Sequence, residues 1–162
     1  EADKSIANYL KTNILQNNCQ NTQVINKAVW IHNQGIEFGS EGADGGGIFA
    51  QQKRHTVESI RLKDELTSFD KIDLLKIDIE GAETAVIKDT ESELHRVSML
   101  FIEYHAYLGK AQDLSQILAI LERQGFRYFI KPEADRPSPF INRLNKSNPQ
   151  MDLQLNIFAY RN

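Results

Sequence analysis

The stretch DLLKIDIEGAE, from Asp73 to Glu83, is a strand-like apolar run that ends abruptly in carboxylates and a glycine. Side chains of a strand alternate between its faces, so Lys76, Asp78 and Glu80 fall on one side and Leu75, Ile77 and Ile79 on the other. A strand covered on both faces reads almost continuously apolar. Charges gathered at the carboxyl end of this one have little packing value and point to function. Gly81 lets the backbone turn sharply into a helix beginning near Ala82. Open α/β sheets bind their ligands at such strand ends.

Downstream, a second apolar run, Val97 to Tyr104, ends in FIEYH and repeats the pattern, with Phe101, Glu103 and His105 on one face and Ile102 and Tyr104 on the other. Two strands separated by a helical segment predict a parallel pair joined by a crossover, with both polar ends at one edge of the sheet. Glu83 falls near the amino end of that helix, where the dipole favours a carboxylate by roughly 0.3 to 1 kcal/mol, and a capping role is expected for it. Asp113 is placed to cap a helix in which Leu114, Ile117, Leu118 and Leu121 follow helical spacing, with Gly125 as its stop. Phe126 to Ile130 reads as a strand, and the alternation of Leu153, Leu155, Ile157 and Ala159 predicts a last one. The long connection between them, Lys131 to Asp152, is of a length that is usually functional or disordered.

Upstream, Asp3 is expected to cap a helix carrying Ile6, Leu10 and Ile14 and ending by Asn17. Val24 to Ile31 predicts a strand that continues through Asn33-Gln34-Gly35 into Ile36 to Phe38 as a hairpin. A further strand, His55 to Leu62, and a short helix or turn, Lys63 to Ser68, lead into the central stretch. GSEGADGGG, Gly39 to Gly47, holds most of the chain's nine glycines. No helix entry follows it, so it reads as a surface loop, with the flexibility a lid needs, and not as a phosphate cradle.

With 162 residues, 41% apolar and 25% charged, the chain is expected to form a single domain, 1–162. The formal charge of −3 gives no overall basic bias toward nucleic acid or anionic membranes. Cys19 stands alone and cannot form an internal disulfide, and no apolar run approaches the roughly 20 residues of a transmembrane helix. A cytoplasmic protein is the simplest reading, and the composition sets no oligomeric state.

KIDIEGAE, the preceding SIRLKDEL, FIEYH, and the more distant GF and NIFAYR resemble the FkbM-type methyltransferases, an S-adenosylmethionine-dependent family. The resemblance implies an α/β fold with a Rossmann-like class I methyltransferase sheet, mostly parallel with an antiparallel last strand. It also implies that EADKSIANYLKTN follows the family's second strand, where Glu1 would bind the ribose of the cofactor S-adenosyl-L-methionine. The family's first two strands and glycine-rich cofactor loop would then precede Glu1. On that expectation the chain is an amino-terminally incomplete domain that binds cofactor poorly by itself.

The activity implied is O-methylation of a hydroxyl on a sugar or secondary-metabolite-like acceptor. Holding the acceptor against the methyl group can contribute about 7 to 11 kcal/mol, against roughly 3 to 5 for a general base. Asp78 and Glu80 are candidates to orient the acceptor, to bind a divalent cation or to contact the cofactor, and His105 to take the proton near neutral pH. Lys76, Gly81, Glu103 and Tyr104 would support the site, and Tyr107 could line it. Lys76 and Glu103 can equally neutralise each other as a structural pair, and His105 can be a loop anchor. The chain contains no Cys/His metal motif and no metal ligand is assigned; Asp78, Glu80 and Glu103 are the residues an oxygen-rich, magnesium-like site would use. Acceptor choice is expected to reside in the loops at Gly39–Gln52 and Lys131–Asp152. Two other classes compete: a non-catalytic interaction or regulatory domain keeping part of the fold, and a nicotinamide-dependent oxidoreductase, which lacks its dinucleotide fingerprint here.

Overall fold

The computed structural model describes residues 1–39, 54–134, 136–143 and 150–161. It divides into two compact units, Glu1–Leu62 and Lys63–Asn162.

In the first unit α1 (Lys4–Gln16) begins where the sequence predicts, because Asp3 Oδ1 accepts the Ser5 and Ile6 N–H groups at 2.7 and 3.2 Å. Only Ala7 of this helix is buried, so its start depends on the cap more than on packing. Asp3→Ala is expected to cost about 1 kcal/mol of local helix stability, read as lost helical circular dichroism and faster amide exchange over Lys4–Gln16.

Two strand pairs complete this unit, and they overturn the predicted hairpin. β1 (Ala28–Trp30) is shorter than Val24–Ile31 and runs parallel to β4 (Ser59–Arg61), whereas β2 (Ile36–Gly39) pairs antiparallel with β3 (Arg54–Val57). The turn between β1 and β2 is fastened to β4. Gly35 N–H donates to Ser59 Oγ at 3.0 Å, Ser59 Oγ donates to the His32 carbonyl at 2.7 Å, and Arg61 N–H donates to Asn33 Oδ1 at 2.7 Å. The predicted strand His55–Leu62 likewise divides at Glu58, its halves serving different partners. Of the glycine-rich stretch, Gly39 closes β2; the remainder, 40–47, lies outside the described residues.

The second unit, entered through α2 (Leu62–Leu66), is a four-stranded sheet in the order β5-β6-β8-β7, with β5 (Ile72–Ile77), β6 (Val97–Tyr107), β7 (Arg127–Pro132) and β8 (Met151–Tyr160). β5 and β6 are parallel, as the crossover predicts, and β8 runs antiparallel to both β6 and β7. The crossover consists of α3 (Glu83–Thr90) and a 3-10 helix (Glu91–Arg96), while α4 (Leu114–Arg123) connects β6 to β7.

Register aligns Leu75, Leu100 and Ala159, and beside them Ile77, Ile102 and Ile157. Of these, Leu100, Ile102 and Ile157 are fully buried, as are Val86 and Ile87 of α3 and Ile117 and Leu121 of α4. Each such side chain contributes roughly 1.5 to 3 kcal/mol through burial. Gly125, at φ +75°, ends α4 as its position predicts. Asp113 differs from expectation: its side chain makes no cap bond, and instead accepts from Thr84 Oγ1 at 2.7 Å and Tyr104 Oη at 3.3 Å. This ties α3, β6 and the start of α4 together.

Candidate functional site

The central strand ends at Ile77, two residues before the predicted Ile79. Glu80 adopts φ +53° and Gly81 φ +97°, so the chain leaves extended geometry and folds back into α3. A non-glycine residue in the left-handed region costs of order 1 to 3 kcal/mol and persists only where its surroundings impose it. Glu83 supplies that constraint. Its Oε1 accepts the Gly81 N–H at 3.0 Å and the Ile79 N–H at 3.3 Å, closing the turn from inside.

The same oxygen lies 3.0 Å from His105 Nδ1, and both side chains are 1% exposed. A carboxylate only accepts, so Nδ1 carries the proton and Nε2 becomes the basic atom of the neutral ring. Nε2 faces Glu80 Oε2 at 3.8 Å and Glu103 Oε1 at 3.7 Å. Gln154 of β8 donates to Glu103 Oε1 at 2.7 Å and lies 3.4 Å from Nε2. Tyr107 Oη donates to Glu80 Oε2 at 3.0 Å.

Burial of the His105 ring acts against its protonation, but the hydrogen bond to Glu83 and the charges of Glu83, Glu80 and Glu103 outweigh it, and its pKa is raised above 6.5. Burial likewise raises the Glu80 carboxyl above 4.5, helped by Asp78 and Glu83 and opposed by His105 and the Tyr107 hydrogen bond. Both shifts mean that the folded chain holds protons more tightly than the unfolded one. Stability supplied by protonated His105 is therefore complete below its unfolded value and is lost as pH rises through the folded one. The urea midpoint is expected to be lower at about pH 9 than at about pH 6, and His105→Gln should flatten the difference.

The structure thus brings Asp78, Glu80, Gly81, Glu103 and His105 to one edge of the second unit. The side chains of Asp78 and Glu80 are 30% and 18% exposed and form the accessible rim, with His105 behind them. Lys76 does not bridge to Glu103; its Nζ bonds Asp78 Oδ2 at 3.0 Å and lies 5.8 Å from the centre of the Phe101 ring. In register it stands opposite Phe101, two residues before Glu103 on β6. Tyr104 is 1% exposed and belongs to the Asp113 network, accepting the Asp113 N–H at 3.0 Å; burial and the adjacent Asp113 carboxylate push its pKa up to about 12. Its hydroxyl is engaged by Asp113, whereas the Tyr107 hydroxyl bonds Glu80 at the rim. Glu1 belongs to the first unit, where its Oε1 accepts the Asp3 N–H at 2.7 Å.

From sequence, Glu83 falls to the helix dipole, and nothing in the local pattern around Gln154 marks it for the site. The EGAE spacing does signal a carboxylate over a turn, but its hold on His105 is visible only once β5 and β6 are side by side. Asp78, Glu80 and His105 each bring a ligand atom to within 4.8 Å of the others, a grouping that can hold a cation.

Open α/β sheets bind ligands beyond the carboxyl ends of their strands, and the buried imidazole with its surrounding carboxylates stands at the ends of the parallel pair β5 and β6. Residues 1–128 match the family model described as Methyltransferase FkbM domain, and the chain belongs to that family of methyltransferases. No curated protein and no solved structure matches it. Among the described residues no helix is long and apolar enough to cross a membrane.

Proposed function

We propose that this protein is an S-adenosyl-L-methionine-dependent O-methyltransferase acting on a hydroxyl of a sugar or secondary-metabolite-like acceptor. The observation that carries this reading is the convergence of Asp78, Glu80 and His105 at the carboxyl ends of β5 and β6 in a chain of the FkbM family. The strand order, with its reversed β8, fits one half of a Rossmann-like class I methyltransferase sheet within a single domain. Glu1, an acid three residues before α1 begins at Lys4, is the residue we assign to the cofactor ribose.

In the transfer, the acceptor's O–H bond breaks as its oxygen forms a bond to the methyl carbon. The carbon–sulfur electron pair leaves with the sulfur as S-adenosylhomocysteine. Asp78 and Glu80 meet the hydroxyl first, and Glu80, whose raised pKa makes it a better base than an ordinary carboxylate, takes the proton. His105, fixed by Glu83, offsets the crowded negative charge. The unpaired, exposed Cys19 suits a cytoplasmic setting. The test is calorimetric titration of the intact protein with S-adenosylmethionine, followed by mass spectrometry of hydroxylated acceptors incubated with both. Binding and a methyl-mass gain on an acceptor oxygen are expected; absence of cofactor binding overturns the reading.

A further inference from the structure

Among the described residues, the rim of the cluster contains more negative charge than its neighbouring cations balance. Asp78, Glu80, Glu83 and Glu103 surround one imidazole, and the ion pair that Lys76 makes is with Asp78. His105 is held as metal-binding histidines are: its far nitrogen bonds a buried carboxylate, which fixes the tautomer and aims the other nitrogen. That other nitrogen, Nε2, points into the carboxylates, at 3.8 Å from Glu80 and 3.7 Å from Glu103, too far for hydrogen bonds to either. Among the described residues its hydrogen-bond neighbour is Gln154 at a long 3.4 Å, and that amide gives its shorter bond to Glu103.

These separations suit a shared ion. With bonds of about 2.1 Å, neighbouring ligand atoms of a divalent cation stand about 3 Å apart and opposite ones about 4.2 Å. The three donor atoms lie within 4.8 Å of one another, close to that span.

We propose that Asp78, Glu80 and His105 Nε2 form a binding site for one divalent first-row metal ion at the carboxyl ends of β5 and β6, with Glu83 as the positioning residue behind the imidazole. Two carboxylates and one imidazole are a mixed donor set, suited to manganese or iron more than to calcium. One oxygen of Glu80 is enough for the metal and leaves the other for the acceptor's proton. Three protein ligands leave coordination positions open, so the acceptor class favoured is one with two adjacent oxygens that can chelate. That last point rests on the methyltransferase reading; the metal site itself does not.

The experiment titrates the intact protein with Mn²⁺ alone and follows loss of the free-ion electron paramagnetic resonance signal. One Mn²⁺ per chain is expected, with ¹⁴N modulation from a coordinated imidazole in the pulsed spectrum. Asp78→Asn and Glu80→Gln should each weaken binding by about tenfold or more, whereas Asp73→Asn, on the same strand but paired with Lys71, should leave it unchanged. No Mn²⁺ uptake, uptake indifferent to both rim substitutions, or bound Mn²⁺ without ¹⁴N modulation overturns the site. The ¹⁴N signature needs no variant to fold. Because the readout involves neither S-adenosylmethionine nor acceptor, failure here leaves the methyl-transfer reading standing, and failure of cofactor binding leaves this one standing.

Discussion

Glu83→Ala is expected to be among the most destabilising single substitutions in the second unit, at about 3 to 5 kcal/mol, the range for stripping one partner from a buried charged pair. The side chain is 1% exposed and one of its oxygens accepts from Ile79 N–H, Gly81 N–H and His105. Alanine would leave those groups without their acceptor, and an unsatisfied buried polar group costs roughly 1 to 3 kcal/mol. It would also release the carboxylate that accepts from the backbone of the positive-φ turn at Glu80 and Gly81. Glu83→Gln separates the two contributions. The amide oxygen can still accept the backbone N–H groups, so most stability should return, but without the carboxylate charge the His105 pKa should fall. Urea unfolding of the three proteins measures the first effect, and the histidine ring resonances followed through a pH titration measure the second. If Glu83→Ala unfolds at the parent midpoint, the carboxylate does not close the turn.

The parts of this arrangement that could be read from sequence are those fixed by local pattern. Alternation in FIEYH, the strand running up to Ile77 at the start of KIDIEGAE, the helical spacing of Leu114 to Leu121, and the Gly125 stop all lie within one or two elements, and the structure has them, although the alternation predicted on through Asp78 to Glu80 gives way to a turn. The errors share a physical origin in contacts between residues far apart in the chain. Asn33-Gln34-Gly35 has the composition of a hairpin turn, but Ser59 and Arg61 compete for its polar groups and win, so β1 takes a parallel partner. The dyad of Glu83 and His105 spans a crossover, and Gln154 reaches the cluster only because β8 inserts antiparallel between β6 and β7. Neither relation has a sequence period. Charge alone pairs Lys76 with Glu103, whereas register sets Phe101 opposite it, with Asp78 two residues along within reach.

The second large effect is on catalysis. Glu80→Gln is expected to lower kcat for methyl transfer by about 10²- to 10⁴-fold, the usual contribution of a general base, with a far smaller change in KM. Glutamine keeps the shape, can still accept from Tyr107 Oη, and places a similar side chain at φ +53°. On the proposed mechanism, what it loses is the capacity to receive the acceptor's proton as the oxygen attacks the methyl carbon, a need that arises only on the way to the transition state. Tyr107→Phe provides the comparison. Removing that hydroxyl takes away a hydrogen bond that lowers the Glu80 pKa, so the carboxyl should titrate higher and the acidic limb of the kcat profile should move toward neutrality. A structural role for Glu80 would predict instead that Glu80→Gln and Tyr107→Phe lose activity in proportion to stability, with the pH profile unmoved. A parent-like kcat in Glu80→Gln would remove Glu80 from the proton's path and leave Asp78, the more exposed rim carboxylate, to be substituted next.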